Sequence, residues 1–387
     1  MTGPGPETLA GAWLAKIPPA QLVAAHNYTD ANLAAWAGGL ALLLGGCVLV
    51  ARLRLLPRLV AAIERDGPRP WLRTAAGAAA LALLLAVAKA LYDAAAGAWT
   101  DGVLAAGGGV TPGPGLAARL QIALTGVVPV VLGAILFVPL AAWLMRRLPR
   151  AWPVVVGSAL AAVILTVGWL PYALAAGPQL PSLPAGPLRA ALAPMVAAAK
   201  LPAPDILADP SPGSLTDVTG GLAPARVVVG DDAASDTPAE ARAYVGHLIG
   251  HYVHSDILVV TLVVAATLTL GAFAIQRFAA PLARLLGALD AKAPHEPAAL
   301  PALAMLAILT VVAAGLAGAA YLRWANVRAD AYSLDLAREP EGLASVLVKA
   351  WDHASVDPNP LEEALFYTHP PLKRRLVQAM TWETAQK

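Results

Sequence analysis

Cysteine is almost absent: one residue, Cys47, occurs in 387, and it lies inside an apolar run. An intrachain disulfide framework is therefore excluded. Charge is also scarce. Asp, Glu, Lys and Arg together make up 13% of the chain and leave a net charge of +2, with no basic run interleaved with aromatics. A nucleic-acid partner is excluded on that ground. Aromatic residues account for only 6%. The long apolar stretches are filled by Ala, Leu and Val, so they read as helical spans and not as the alternating strands of an outer-membrane barrel. What the chain has in abundance is apolar surface. Hydrophobic residues make up 58% and the mean hydropathy is +0.63, well above that of a soluble domain of this length. The lipid bilayer is the solvent these numbers call for.

A helical span needs about 20 predominantly apolar residues, and six segments meet that rule: 31–51, 75–92, 120–145, 151–174, 257–275 and 298–322. Lys89 sits near the end of the second, where it can snorkel. Residues 1–30 lack a basic region followed by an apolar core, so they are expected to form an interfacial segment and not a signal peptide. This gives five regions: 1–30; four spans over 31–174; a polar region 175–256; two spans over 257–322; and a polar region 323–387. Arg and Lys crowd the loops 52–73, 146–150 and 277–292. By the positive-inside rule those loops are expected to be cytoplasmic and the two polar regions to lie on the opposite face, a rule that long loops obey poorly, so the reverse sidedness stays open. Helical spans point to a multi-pass protein of a bacterial inner membrane.

The polar regions carry the chemistry. The first opens with Pro178, Pro181, Pro184 and Pro187, followed by a predicted helix over 188–200 and two predicted strands, 205–208 and 225–230, the latter containing Val227-Val228-Val229. Thr237-Pro238-Ala239-Glu240 then has the form of a capping box with proline at the first helical position. The helix it starts is expected to run unbroken through His247, His251 and His254 into the fifth span. His247 and His251 are four residues apart, so both imidazoles project from one face and can share a zinc ion. Alternatively, the pair is simply interfacial polarity. The sixth span meets no proline between Pro301 and Pro340, so it is expected to continue as a helix through Asn326 and Asp330. An antiparallel hairpin turning near Leu286 brings His247 level with Asn326.

These strings resemble the type I CAAX prenyl protease family of integral membrane zinc metallopeptidases. His247-Leu248-Ile249-Gly250-His251-Tyr252-Val253-His254 is similar to that family's zinc helix, H-E-x-G-H followed by an aromatic and a His. Asn326-Val327-Arg328-Ala329-Asp330-Ala331-Tyr332-Ser333 is similar to its E-x-x-A-D-x-[FY]-[SA]. Residues 361–371, ending Thr368-His369-Pro370-Pro371, resemble its tail. The resemblance implies an all-α polytopic membrane protein with a small α/β gluzincin-type metallopeptidase domain built from 175–256 and 323–387. It further implies zinc as cofactor, held by His247, His251 and the residue at 326. Asp330 would orient the ligands, His369 would contact the oxyanion, and Arg375 matches a position near the site. The Val227–Val229 strand would be the edge along which extended substrate pairs, or else a buried strand.

Two departures matter. The family's general base, the Glu after the first His, is Leu248 here, which has no proton acceptor. The third ligand, a Glu, is Asn326, which offers a neutral amide oxygen, so zinc binding is expected to be weak or absent. Three functions follow for comparison. One is a pseudoprotease that binds peptides or membrane proteins without cutting them. A second is an active metallopeptidase with an unusual site that uses His254 or Asp330. The third is a transporter or channel, which the near-absence of charge within the six segments disfavours.

Overall fold

The computed structural model describes residues 4–63, 70–108, 113–202, 204–233, 235–289 and 291–387. In chain order its helices and strands are α1 (Pro6–Leu14), α2 (Pro19–Arg52), α3 (Leu55–Ile63), α4 (Pro70–Ala105), α5 (Leu116–Arg147), α6 (Trp152–Ile164), α7 (Leu170–Ala173), α8 (Pro187–Ala198), β1 (Asp205–Ala208), β2 (Asp217–Thr219), β3 (Arg226–Val229), α9 (Pro238–Val253), α10 (Asp256–Leu285), α11 (Leu300–Ala337), α12 (Pro340–Lys349), α13 (Pro360–Phe366) and α14 (Leu372–Gln386). A π-helical stretch, Leu165–Trp169, joins α6 to α7. Six of the described segments are long and apolar enough to cross a bilayer, and they coincide with the six expected spans, most of them extended at one or both ends. The first begins at Pro19, well before the apolar run at 31. The chain divides into two compact units.

One unit comprises Asn27–Ala161 and Ala265–Gly315. Its core is lined by Val50, Leu81, Leu85 and Leu300. Its outer surface is apolar: Leu136 is 63% exposed and Phe137 62%. In water such a face would drive aggregation, whereas in hydrocarbon it is the ordinary surface of a span. Close helix approach uses small residues. A Cβ at Gly271 would lie 2.0 Å from Thr310 Cγ2, so α10 and α11 touch there with no room for a side chain. Lys89 bonds Asp93 one turn along α4, at 2.6 and 2.7 Å, so its charge is paired within its own helix.

The other unit comprises Met1–His26, Ala162–Val264 and Leu316–Lys387. A three-stranded sheet of order β1-β3-β2, parallel between β1 and β3 and antiparallel between β3 and β2, packs on α8 and α9 through Ile206, Val218, Val227, Val229, Leu192, Val245 and Ile249. β2 was not anticipated, because three residues are too short for an alternation to register. It also corrects the reading of Val227–Val229 as the substrate-pairing edge. β3 is central, with partners on both sides, and Val227 is fully buried. A second core joins α1, α12 and α14 through Ala10, Leu343, Leu347, Leu376 and Met380, so the first helix packs on the C-terminal helix.

The expected capping box forms: the Thr237 N–H donates to Glu240 Oε2 at 2.8 Å and the Glu240 N–H to Thr237 Oγ1 at 3.3 Å. The helix it starts is not continuous with the fifth span, however. α9 ends at Val253, Ser255 adopts a left-handed φ of 55°, and α10 begins at Asp256. At the break, His254 Nδ1–H reaches the Gly250 carbonyl at 2.7 Å, which gives that carbonyl a side-chain partner beside the usual helical one. The turn folds Asp256 back toward α9, with consequences for the site. α11 is continuous through Asn326 and Asp330, as expected.

Candidate metal centre

α9 and α11 come together because α9 is bare where they cross. A Cβ at Gly246 would stand 2.9 Å from Ser333 Oγ, and one at Gly250 would stand 2.9 Å from Ala329 Cα. The Ser333 hydroxyl donates to the Ala243 carbonyl at 2.6 Å and pins the crossing. With the backbones this close, His247 and His251 on α9 meet Asn326 and Asp330 on α11.

Three atoms converge at the crossing. His251 Nε2 lies 3.1 Å from His247 Nε2 and 3.3 Å from Asn326 Oδ1. The opposite ring nitrogens face carboxylates: His247 Nδ1 lies 2.7 Å from Asp330 Oδ1, and His251 Nδ1 lies 2.8 Å from Asp256 Oδ2. A carboxylate at Nδ1 holds the proton there and leaves a lone pair at Nε2. Asn326 Nδ2 donates to the Leu322 carbonyl at 2.8 Å and the Thr368 carbonyl at 3.3 Å, so its oxygen faces the imidazoles. With each proton at Nδ1, the two Nε2 lone pairs and the amide oxygen lie around His251 Nε2 with no donor among them, an arrangement that a cation would satisfy.

Both carboxylates are themselves fixed and fully buried. Arg375 grips Asp330 with a fork, Nε to Oδ2 and Nη2 to Oδ1, both at 2.7 Å. Asp256 receives the Tyr321 hydroxyl at 2.6 Å and the Arg328 guanidinium, which stacks 4.1 Å over the Trp324 ring. Burial pushes the His247 pKa below its ordinary value, Asp330 opposes that, and Arg375 and His251 reinforce it. The ring stays neutral, the form that donates a lone pair. His369 is accessible on one side, its Nδ1 3.1 Å from Thr368 Oγ1. Burial of the rest of its ring, then the charges of Arg375 and His247, push its pKa down to about 4.

The structure therefore brings together His247, His251, Asn326, Asp330 and Arg375, with His369 within their electrostatic reach. Leu248 lies one position along α9, half-buried against the sheet core. His254 is not part of the cluster: its ring bonds Gly250 and stacks on Tyr332, with centroids 5.9 Å apart. Asp330 has both oxygens engaged and lies behind His247, on the side away from the convergence. Neither is placed to replace a missing ligand. Asp256, Tyr321 and Arg328 were not anticipated. The one signal for Asp256 was an acidic residue directly before an apolar span, a costly place for an unpaired charge.

The fit to zinc divides between geometry and chemistry. Ligand atoms around a tetrahedral zinc, at bonds of about 2.0–2.1 Å, stand a little over 3 Å apart, which the convergence reproduces. The donor set is poorer. Among the described residues no group of three His, Cys, Asp or Glu could hold a metal. His247, His251 and Asn326 would hold the ion with no anionic ligand in contact, and the two carboxylates act only through the imidazoles.

Residues 182–383, just over half of the chain, match peptidase family M48. The chain belongs to that family, as a membrane metallopeptidase-type member with the Ste24-like fold. The crystal structure of S. mikatae Ste24p superposes with a TM-score of 0.55 over 94% of this chain and 89% of that one, at 17% sequence identity. The two share a fold. No curated protein matches the sequence. Zinc is the metal expected of the family.

Proposed function

We propose that this chain is an M48-type protein of a bacterial inner membrane that binds peptide or membrane-protein clients without hydrolysing them. The observation that carries this reading is Leu248. Hydrolysis by a zinc peptidase needs a proton acceptor on the open side of the metal, beside the water that attacks. The two carboxylates bonded to the imidazoles both lie behind the rings, at Nδ1. The position expected to face the open side carries a leucine. Losing a positioned general base costs typically 10² to 10⁴ in rate. Asn326 compounds this by weakening the hold on the ion that would polarise the scissile carbonyl. When bound, zinc would supply only that Lewis acidity.

What remains fits peptide binding. Tyr244, Leu248 and His251 follow at intervals of four and three residues along one side of α9, which packs against β2. β2 ends the sheet, but its outer side is covered: Val218 is buried and the Gly220 N–H that follows it donates to the Tyr172 carbonyl at 2.9 Å. The far side of β1 is closed as well: the Leu183 N–H donates to the Ile206 carbonyl at 2.8 Å and the Ala208 N–H to the Pro181 carbonyl at 2.9 Å. A client segment lying along this side of α9 would run over Tyr244 and Leu248 toward the imidazoles, and leucine makes that floor more apolar than glutamate would. The test uses detergent-purified full-length protein with fluorescent unfolded peptides, following anisotropy for binding and mass for cleavage with zinc present. Saturable binding with intact peptide is the expected result. Chelator-sensitive cleavage by the unmodified chain would overturn the reading.

A further inference from the structure

The fourth span has a defined end. Trp152–Ala173 counts 22 residues, and at 1.5 Å each these cover about 33 Å, a little more than the hydrocarbon core of about 30 Å. Ala173 therefore stands at the edge of the hydrocarbon. Trp169 and Tyr172, aromatic residues of the kind enriched at such a boundary, lie just before it. A helix that stops there leaves its last carbonyls without helical partners, and lipid cannot supply any.

The loop between β2 and β3 supplies them. The Gly220 N–H donates to the Tyr172 carbonyl at 2.9 Å, and the Leu222 and Ala223 N–H groups donate to the Ala173 carbonyl at 2.9 and 3.2 Å. Gly220 makes the turn at a φ of 128°, and a Cβ there would stand 3.0 Å from Ala225 Cα, so glycine is what the turn requires. Behind the loop, Arg226 donates to the Ala175 and Pro178 carbonyls, both at 2.8 Å, which ties the start of β3 to the same stretch of chain. Gly220-Gly221-Leu222-Ala223-Pro224 is thus a loop without a charged residue, pinned at the height where the span ends. Its one large side chain is not folded back on protein. Leu222 is 63% exposed, and Leu174, the first residue after the span, is 48% exposed.

Single exposed apolar residues are common and identify no partner by themselves. Leu215, just before the other end of β2, is 72% exposed. Its neighbour Thr216 donates from both its N–H and its hydroxyl to the Asp232 carboxylate, at 2.9 and 2.6 Å, and a carboxylate is costly to place in lipid. What sets Leu222 apart is its attachment to the end of a membrane span. We propose that residues 220–224 anchor the sheet to the membrane: Leu222 inserts beside Leu174 into the interfacial layer of the bilayer, while the backbone of the loop caps the fourth span. The partner of this surface is lipid. The anchor depends neither on peptide binding nor on zinc.

The test places a nitroxide at position 222 or 215, through Leu222→Cys or Leu215→Cys in a Cys47→Ala background. The full-length protein is held in nanodiscs of phosphatidylethanolamine and phosphatidylglycerol. Collision of the label with oxygen, which concentrates in lipid, is compared with its collision with a water-soluble nickel chelate. Position 222 should favour oxygen and position 215 the chelate. A label at 222 that favours the chelate would show that the loop faces water and would overturn the anchor. A label at 222 that meets neither reagent would overturn it too, because protein then covers the position. Oxygen preference at both positions would do the same, since the contrast between the two ends of β2 would be gone. A second comparison needs no label. Leu222→Asp should lower Tm in the nanodisc and Leu215→Asp should leave it unchanged, and equal shifts would contradict the proposal.

Discussion

Replacing Arg375 by leucine should cost far more than replacing its neighbour Arg374, although both sit in the first turn of α14 and both pair with a carboxylate. Arg375 and Asp330 expose 12% and 0% of their side chains, whereas Arg374 exposes 60% against 17% for Glu363. Among the described residues, the two hydrogen bonds from Arg375 are the cationic support of a buried carboxylate whose other partner is His247 Nδ1. Removing one partner of a buried ion pair typically costs about 3–5 kcal/mol, because the other charge is left behind. The surviving His247 contact puts Arg375→Leu near the lower end, about 3 kcal/mol. Arg374→Leu breaks an exposed pair worth about 0–1 kcal/mol. In a unit of about 150–250 residues each kcal/mol moves Tm by about 2–4 °C, so the expected losses are about 6–12 °C against less than about 4 °C. Thermal unfolding in one detergent, read by tryptophan fluorescence, makes the comparison. Adding Asp330→Asn to Arg375→Leu should recover part of the loss, since no charge then remains unpaired. Equal losses for the two arginines would refute the assignment of Asp330 as a buried, Arg375-dependent anion.

Two further outcomes follow from the same unit. Gly250→Ala should destabilise by about 1–3 kcal/mol despite a helix-propensity gain of up to about 1 kcal/mol, because its Cβ meets the α11 backbone; Gly11→Ala in α1, which meets nothing within 4 Å, should show the gain alone, and an equal gain at Gly250 would contradict the close crossing. Burial raises the Glu240 carboxyl, but bonds from Lys349, Ser345 and Thr237 outweigh it and hold its pKa at about 2, below the ordinary 4.5. A carboxylate depressed on folding contributes stability that is complete above pH 4.5 and is lost as pH falls toward 2, here on the order of 3 kcal/mol. Unfolding measured from pH 6 to pH 3 should therefore show a shallower acid limb in Glu240→Gln, and an unchanged limb would show that the cap carries no such linkage.

How much of this was legible depended on the range of the interaction. The six spans are written in composition alone, since hydrocarbon must be met by apolar side chains wherever the helices go. Thr237 and Glu240 were legible for the opposite reason: a capping box closes within four residues. The pairing of His247 with Asn326 and Asp330 could be anticipated because two helices around one turn leave little freedom in height. What escaped was set by packing between distant segments. β2 is held by β3 and α9 and has no pattern of its own. The break at Ser255 is a single left-handed residue in a stretch without glycine or proline, and it is the break that delivers Asp256 to His251. The central place of β3 followed from β2, so the valine run alone could not reveal that its two sides were both occupied.

On the proposed reading Leu248 and Asn326 are what separate this chain from a working peptidase, and restoring both residues is the sharpest test of it. Four proteins are compared, the unmodified chain, Leu248→Glu, Asn326→Glu and the double variant, with zinc stoichiometry and peptide cleavage measured on each. Asn326→Glu should gain a tightly bound zinc and a zinc-dependent rise in Tm, while giving up the amide donation to the Leu322 and Thr368 carbonyls in the metal-free state. Leu248→Glu should supply a base with little metal to act on. Each single variant should cleave at or near background, and only the double variant should combine near-stoichiometric zinc with hydrolysis, a strongly non-additive outcome. Stoichiometric zinc and chelator-sensitive cleavage in the unmodified chain would contradict the account, as would a double variant that binds zinc fully and cleaves nothing.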